Sequence, residues 1–274
     1  MHQEEMKVEK ILFITQEITP FVPATPMGTT GHDLLQAVQD KVKEIRTFTP
    51  LWGNINTRRN NLHEVIRLSG MNLIIDDTDH PLIIKVASLQ SARMQVYFIE
   101  NEDYFHNRLM LTDENGKEYS DNDERTIFFN LGVIEAVKKQ RWCPEIIHCC
   151  GWISALVPLY IRSAYKDEPS FRDSKIVISL FDETINEPFD DSFIKKLMCK
   201  DMSGEDLGGM TAPVSHTELA KLAIRNCDGV IINGDNVSPD LIEYAKSQGK
   251  TILTKQAVEE AENNCYDFYS SLFE

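Results

Sequence analysis

Three segments of this chain gather residue types capable of chemistry, and each follows a run that reads as a β-strand. After Lys10–Thr15 comes QEITPFVPATPMGTTG, where Glu17 offers a carboxylate and Thr25, Thr29, Thr30 and Gly31 offer hydroxyls and backbone N–H groups. Such N–H groups at a helix start can hold an anion. The stretch from Thr19 to Gly31 nevertheless contains no lysine or arginine and matches neither G-x-G-x-x-G nor G-x-x-x-x-G-K, so a plain helix cap is the simpler reading. After EIIHC comes HCCGWIS, from His148 to Ser154. A single histidine at a strand end is ordinarily packed and hydrogen-bonded. Cys150 would be a nucleophile only beside a base and in an electropositive setting, and no Asp or second His stands near it in sequence. After KIVISLF comes DETINEPFDD, with Asp182, Glu183, Glu187, Asp190 and Asp191. Paired carboxylates can do acid–base work or bind a hard metal, but a charge run after a strand is ordinarily a solvated turn.

No metal and no cofactor is expected. The six cysteines (Cys143, Cys149, Cys150, Cys199, Cys227 and Cys265) form no C-x-x-C pair and no zinc spacing with histidine, and read as reduced structural thiols. Asp113-Glu-Asn-Gly116 has the look of part of a calcium loop. With Gly116 in the sixth position, Leu111 and Asn122 would fill the first and twelfth, which suits a turn and not a calcium site.

The elements that must position these segments alternate. Lys10–Thr15, Glu44–Thr49, Glu145–Cys149, Lys175–Phe181, Gly229–Ile232 and Thr251–Leu253 are short apolar strand patterns. Helical spacing predicts helices over His32–Val42, Asn122–Gln140 with Asp121 as cap, Trp152–Tyr165, Ser215–Asn226 with a Ser215/Glu218 capping box, Pro239–Ser247 and about Ala257–Leu272. In the last of these, Val258, Ala261, Cys265, Tyr269 and Leu272 form an apolar stripe that is expected to pack back on its own domain. Trp152 opens a helix with Leu156, Leu159 and Tyr160 at core spacing, which predicts a structural tryptophan. Residues 62–99 are β-rich and suggest an antiparallel insertion beside the main sheet. Strands alternating with helices imply an α/β, doubly wound, mainly parallel, Rossmann-like sheet. Ligands of such sheets bind outside the carboxyl ends of the strands, where all three segments fall.

The chain has 274 residues, of which 42% are hydrophobic, enough for a sizeable core, and a single domain over 1–274 is expected. No apolar run approaches the roughly 18 residues that span a bilayer, and Met1–Lys10 is polar and acidic, unlike a signal peptide. A net charge of -15 argues against nucleic acid or an anionic membrane as partner. A cytoplasmic location is expected.

Several segments together resemble the starch synthase catalytic region, the N-terminal half of the glycogen/starch synthases. KILFITQEITPF resembles the family's opening strand and E-x-x-P-F turn, at Glu17, Pro20 and Phe21. YFIENEDYFHNR followed by LTDENGKEYSDNDERTIFF is similar to its hallmark of D/N-x-Y-F followed by Y-x-D-N-x-x-R-F. PEIIHCCGWISALVPLYIR resembles its P-D-I-I-H-x-H-D-W-H-T-A-L segment, and CDGVIINGDNVSPDLIEYA a later one. The resemblance runs from about residue 8 to 250. It implies the first of two Rossmann-like domains of a GT-B glycosyltransferase. ADP-glucose would bind mostly to the second, which is expected to be absent. Glu17, Thr25, His148, Cys150 and Trp152 are the positions where a substrate would be met.

The departures fall on polar positions. The family's K-T-G-G aligns with Pro23, Ala24, Thr25 and Pro26, which removes the lysine that meets the sugar nucleotide. Its second His, Asp and last His of H-x-H-D-W-H become Cys150, Gly151 and Ile153, and its T-x-H-N aligns with Ser179, Leu180, Phe181 and Asp182. Catalytic residues therefore stay unassigned. The leading expectation is a catalytically degenerate domain acting as a binding or regulatory module, its partner a glucan or a full-length glycogen synthase. The alternatives are an active half completed by a nucleotide domain on another polypeptide, and an unrelated small-molecule enzyme using the remodelled crevice.

Overall fold

Parallel strands covered on both faces need continuous apolar runs, and KILFIT supplies one: every residue after Lys10 is buried. The computed structural model describes residues 7–89, 94–260 and 264–274. The elements are β1 (Lys10–Thr15), α1 (Pro26–Val38), β2 (Glu44–Pro50), β3 (His63–Glu64), β4 (Met71–Ile75), β5 (Thr78–Leu89), β6 (Met94–Glu100), α2 (Asn122–Gln140), β7 (Ile146–Cys150), α3 (Val157–Arg162), β8 (Lys175–Leu180), α4 (Phe193–Leu197), α5 (His216–Asn226), β9 (Gly229–Ile232), α6 (Pro239–Ser247), β10 (Thr251–Leu253), α7 (Lys255–Glu260) and α8 (Asn264–Ser271). The strands form one sheet in the order β10-β9-β8-β7-β1-β2-β6-β5-β3, with β4 paired to β5 off this path. From β10 to β6 all pairings are parallel. The α/β, mainly parallel architecture expected from the alternation is therefore present.

The β-rich stretch differs from the expected insertion. Only β5 and the strands paired to it are antiparallel. β6 lies inside the main sheet, parallel to β2, with Phe48 opposite Tyr97. Its run MQVYFIE is buried almost throughout, as an interior strand requires. β4 and β5 join through Asp76 and Asp77, both in the left-handed region at φ 46° and 63°, the pattern of a two-residue hairpin turn.

Three helix expectations are corrected. α1 begins at Pro26, not His32, because Thr25 caps it: its hydroxyl accepts from the Gly28 N–H at 3.0 Å, and Pro26 occupies the first turn, where no N–H is needed. Trp152–Tyr165 is not continuous. Trp152–Ser154 forms a 3₁₀ turn, and the α-helix starts only at Val157, since Pro158 cannot donate back to the preceding turn. Asp121 precedes α2 but does not cap it with its side chain. Its carboxylate instead makes a bidentate pair with Arg108 at 2.6 and 2.7 Å. The Ser215/Glu218 capping box of α5 forms as the spacing predicts.

Among the described residues the C-terminal segment is helical over α7 and α8. On α8, Cys265, Phe268 and Tyr269 are buried, so this end of the stripe packs on its own sheet. The Phe268 ring lies so close to β9 that a Cβ on Gly229 would stand 2.8 Å from it. Val258 and Ala261 fall outside the described side chains. Among the described residues, no helix is long and apolar enough to cross a membrane.

Buried chemistry also shapes the long connection from β6 to α2. Arg125 has no exposed surface, and its guanidinium donates to the carbonyls of Tyr104, Leu109 and Met110 at 2.7–2.9 Å and to Asn122 Oδ1 at 2.7 Å. Trp52 and Tyr119 flank it, with their ring centroids 5.1 and 4.8 Å from its carbon. An irregular backbone must find partners for its carbonyls, and one side chain provides them here. The Asp113–Gly116 turn in the same connection closes as expected, with Asp113 Oδ1 accepting from the Asn115 and Lys117 N–H groups.

Candidate functional site

Parallel pairing brings the strand ends level. Thr15 of β1 stands opposite Cys150 of β7, and Cys150 opposite Ser179 of β8. The residues that follow, Gln16-Glu17, Gly151-Trp152 and Asp182-Glu183, therefore meet at one crevice outside the carboxyl ends of the sheet. Gly151 is required where it stands. Its φ is +84°, and a Cβ there would lie 2.6 Å from the Cβ of Gln16. An Asp at this position, as in the family motif, would displace Gln16.

A cavity of about 400 Å³ opens between β8, the Gly151–Ser154 turn, α5 and the start of α6. Trp152, Leu180, Leu219 and Leu241 provide apolar walls, while Glu183, His216 and Asn236 are polar lining groups. No lysine or arginine lines it among the described residues. Its size and mixed lining are those of a small-molecule site.

Glu183 departs from the solvated turn expected of the acidic run. Its side chain keeps 20% of its surface, but Oε2 is sealed from water without a hydrogen-bond partner. Burial pushes its pKa up to about 8, outweighing the Trp152 backbone hydrogen bond that favours the charge; the negative charge of Glu17 adds to the rise. His216 Nε2 stands 4.0 Å from Glu183 Oε1, and burial lowers the imidazole pKa, which favours its neutral form. Asp182 is exposed and structural: its carboxylate accepts from the Asp235 and Asn236 N–H groups at 2.9 and 2.7 Å, tying the β8 loop to the β9–α6 loop.

The five expected site residues separate into two groups. Glu17, Thr25 and Trp152 belong to the crevice region. Glu17 Oε1 accepts from the Thr25 hydroxyl at 2.5 Å, and burial raises its pKa against that bond. Trp152 is 3% exposed and lines the cavity. His148 and Cys150 lie beneath the crevice. His148 has no exposed surface, and its ring nitrogens meet Tyr269 Oη and Ser179 Oγ, both at 2.7 Å. Cys150 Sγ is 3.6 Å from His148 Nε2, but burial pushes the thiol pKa far up, so it holds its proton. The histidine is equally unsuited as a base, because burial pulls its pKa down to about 3.

Sequence reasoning missed Gln16, Glu183 and His216 as a set. They come from three separate elements, and only the sheet register brings them together. One local signal existed: Ile185, an apolar residue two positions after Glu183, is buried, so the acidic run is not wholly a solvated turn. Among the described residues, no group of three or more His, Cys, Asp or Glu could hold a metal ion.

Comparison with known proteins agrees with this architecture. The starch synthase catalytic domain family matches residues 10–249. A glycogen synthase from Chlorobium limicola is 31% identical over 235 residues, 83% of this chain and 48% of that protein. One from Pelodictyon phaeoclathratiforme is 36% identical over 172 residues, 62% of this chain and 35% of that protein. The chain thus spans half or less of the length of these relatives. The catalytic domain of starch synthase IV from Arabidopsis thaliana, solved bound to ADP and acarbose, superimposes with a TM-score of 0.71 at 15% identity. That superposition covers 91% of this chain and 51% of that one, and it speaks to the fold. By the extent of the family match and the shared architecture, the chain belongs to the glycogen/starch synthase family of GT-B glycosyltransferases.

Proposed function

We propose that this domain does not transfer glucose by itself and acts as a binding or regulatory module in glucan metabolism, with a glucan or a full-length glycogen synthase as its partner. The observation that carries this reading is the crevice, whose lining has carboxylates, hydroxyls and apolar groups but no cation among the described residues. Transfer from a nucleoside diphosphate sugar needs positive charge or aligned donors where the diphosphate gathers negative charge. Glu17 and Glu183, where ionised, act in the opposite sense. The family's donor positions are occupied by Cys150, Gly151 and Ile153, none of which extends a polar group into the crevice.

The test has two parts. A radiolabelled transfer assay from ADP-glucose to glycogen should give no turnover with the purified chain, and calorimetry should place the ADP-glucose Kd above about 1 mM. Co-sedimentation with glycogen, or capture of a full-length glycogen synthase, should succeed under the same conditions. Turnover near that of a complete synthase would overturn the reading.

A second reading has support in the connection built around Arg125, where Tyr119, Asn122 and Arg125 of the family's hallmark are kept and the guanidinium is fully engaged. On that reading the chain is an active half completed by a nucleotide-binding domain. Turnover that appears only when such a domain is added would favour it.

A further inference from the structure

The cavity between β8, α5 and α6 has a polarity that the proposed role does not use. Glu183 lines the cavity, and its Oε2 is buried without a partner; Oε1 of Gln16, a residue only 6% exposed behind Gly151, lacks one too. Gln16 and Glu17 both act on the Glu183 carboxyl, and Gln16 Oε1 lies 2.8 Å from the point where Gly151, which lines the cavity, would carry a Cβ. Buried polar atoms without partners are rare in folded proteins, and each calls for a group to meet it. The amide oxygen is an acceptor, and the carboxyl becomes one when it gives up its proton. The cavity beyond them is apolar, with Leu219, Ala220 and Ala223 of α5 on one side and Ile178 and Leu180 of β8 on the other.

We propose that this cavity binds a small organic ammonium ion, its apolar body against α5 and β8 and its charged head on Glu183. An ammonium carries donors and no acceptor, which matches a carboxylate oxygen without a partner at the cavity wall. A phosphate or carboxylate ligand would find no lysine or arginine among the described lining residues. Rotation about the last torsion of Glu183, which is broad and two-fold, can present either oxygen to the cavity. The titratable groups facing this carboxyl are Glu17 after β1 and His216 on α5, the latter within the field of Glu118; Asp182, its neighbour in the chain, is held by backbone donors. Burial keeps a proton on the empty carboxyl at neutral pH. Arrival of a cation favours the carboxylate, so that proton passes to the solvent as the ligand binds.

Three probes of one shape separate the chemistries: benzylamine, benzyl alcohol and benzoate, titrated calorimetrically into the full chain at pH 7. The amine should bind about tenfold or more tightly than the alcohol, and benzoate should give no heat. The heat of amine binding should vary with the ionisation enthalpy of the buffer, which reports the released proton. Glu183→Gln should bring amine and alcohol to within about threefold of each other. Ala220→Leu, which fills the cavity from α5, should weaken both and keeps the test available if the first variant does not fold. Equal or tighter binding of the alcohol, binding of benzoate, amine binding unchanged by Ala220→Leu, or no amine binding overturns the proposal. ADP-glucose titrated into the same sample tests the role proposed above independently, because tight binding there would overturn that role and leave the ranking of the amine, alcohol and benzoate as measured.

Discussion

Tyr269 places its hydroxyl 2.7 Å from Nδ1 of His148, joining residues 121 positions apart in sequence. The bond fastens the C-terminal helix to the middle of the sheet, since Ser179 of the next strand holds the other ring nitrogen. His148, one of the positions where a substrate is expected from the family resemblance, is a buried structural joint, and α8 supplies the other half of that joint.

Removing the phenol leaves one buried ring nitrogen without its partner. Tyr269→Phe should cost about 1–3 kcal/mol, read as a fall of several degrees in Tm. Ending the chain at Lys255 removes the burial of Phe268 and Tyr269 as well and should lower Tm by about 10 °C or cause aggregation. A shortened chain that melts at the same temperature would show that α8 is not part of the core.

Acid should loosen the same joint. Burial pulls the His148 pKa to about 3 from its ordinary 6.5, so the unfolded chain takes up this proton more readily than the folded one. Stability from this group is complete above about pH 6.5 and is lost as the pH falls toward 3. Urea midpoints from pH 7 to pH 4 should decline, and His148→Gln should flatten the decline by about one proton. An identical slope in the variant would mean that the ring is already solvated.

Glu183 should act with the opposite sign. Its pKa in the folded chain is raised from 4.5 to about 8, so the folded state holds the proton more tightly than the unfolded one. Stability is therefore lost as the pH rises from about 4.5 to 8 and is level above that. Glu183→Gln keeps a neutral group of the same shape and should melt several degrees above the parent at pH 9, with little difference at pH 4. Equal melting at pH 9 would place the carboxylate in contact with water.

Arg125→Met keeps the volume but strips the donors from the carbonyls of Tyr104, Leu109 and Met110. A loss of about 3–5 kcal/mol is expected. Hydrogen exchange should quicken across residues 104–121 first. Unchanged protection there would mean that the connection holds its shape without the guanidinium.

Trp152→Ala should cost about 3–5 kcal/mol, because the indole is buried against Phe189 with ring centroids 6.5 Å apart. An unchanged Tm accompanied by loss of amine or glucan binding would make Trp152 a recognition residue instead.

Much of the scaffold was legible in the residues. Continuous apolar runs such as KILFIT and KIVISL can only be covered strands, and the Ser215/Glu218 box marks the start of α5. Where reading failed, a non-local partner had intervened. Asp121 has the spacing of a cap, yet Arg108 takes its carboxylate. MQVYFIE reads as part of an antiparallel insertion because periodicity does not report which strand will lie beside it. The candidate site was least legible. Glu183 sits in a run of acids that composition assigns to water, and only the register of β1, β7 and β8 shows it sealed against Gln16.

The guanidinium at the centre of the β6–α2 connection bears on what a name can mean for this chain. Tyr104, Phe105, Tyr119, Asn122 and Arg125 stand in a segment that carries the family resemblance. Here the Arg125 guanidinium fastens the carbonyls of Tyr104, Leu109 and Met110. Such a signature measures inheritance of an architecture. Residues that hold a connection in shape persist for the sake of the fold, whatever reaction the domain takes part in.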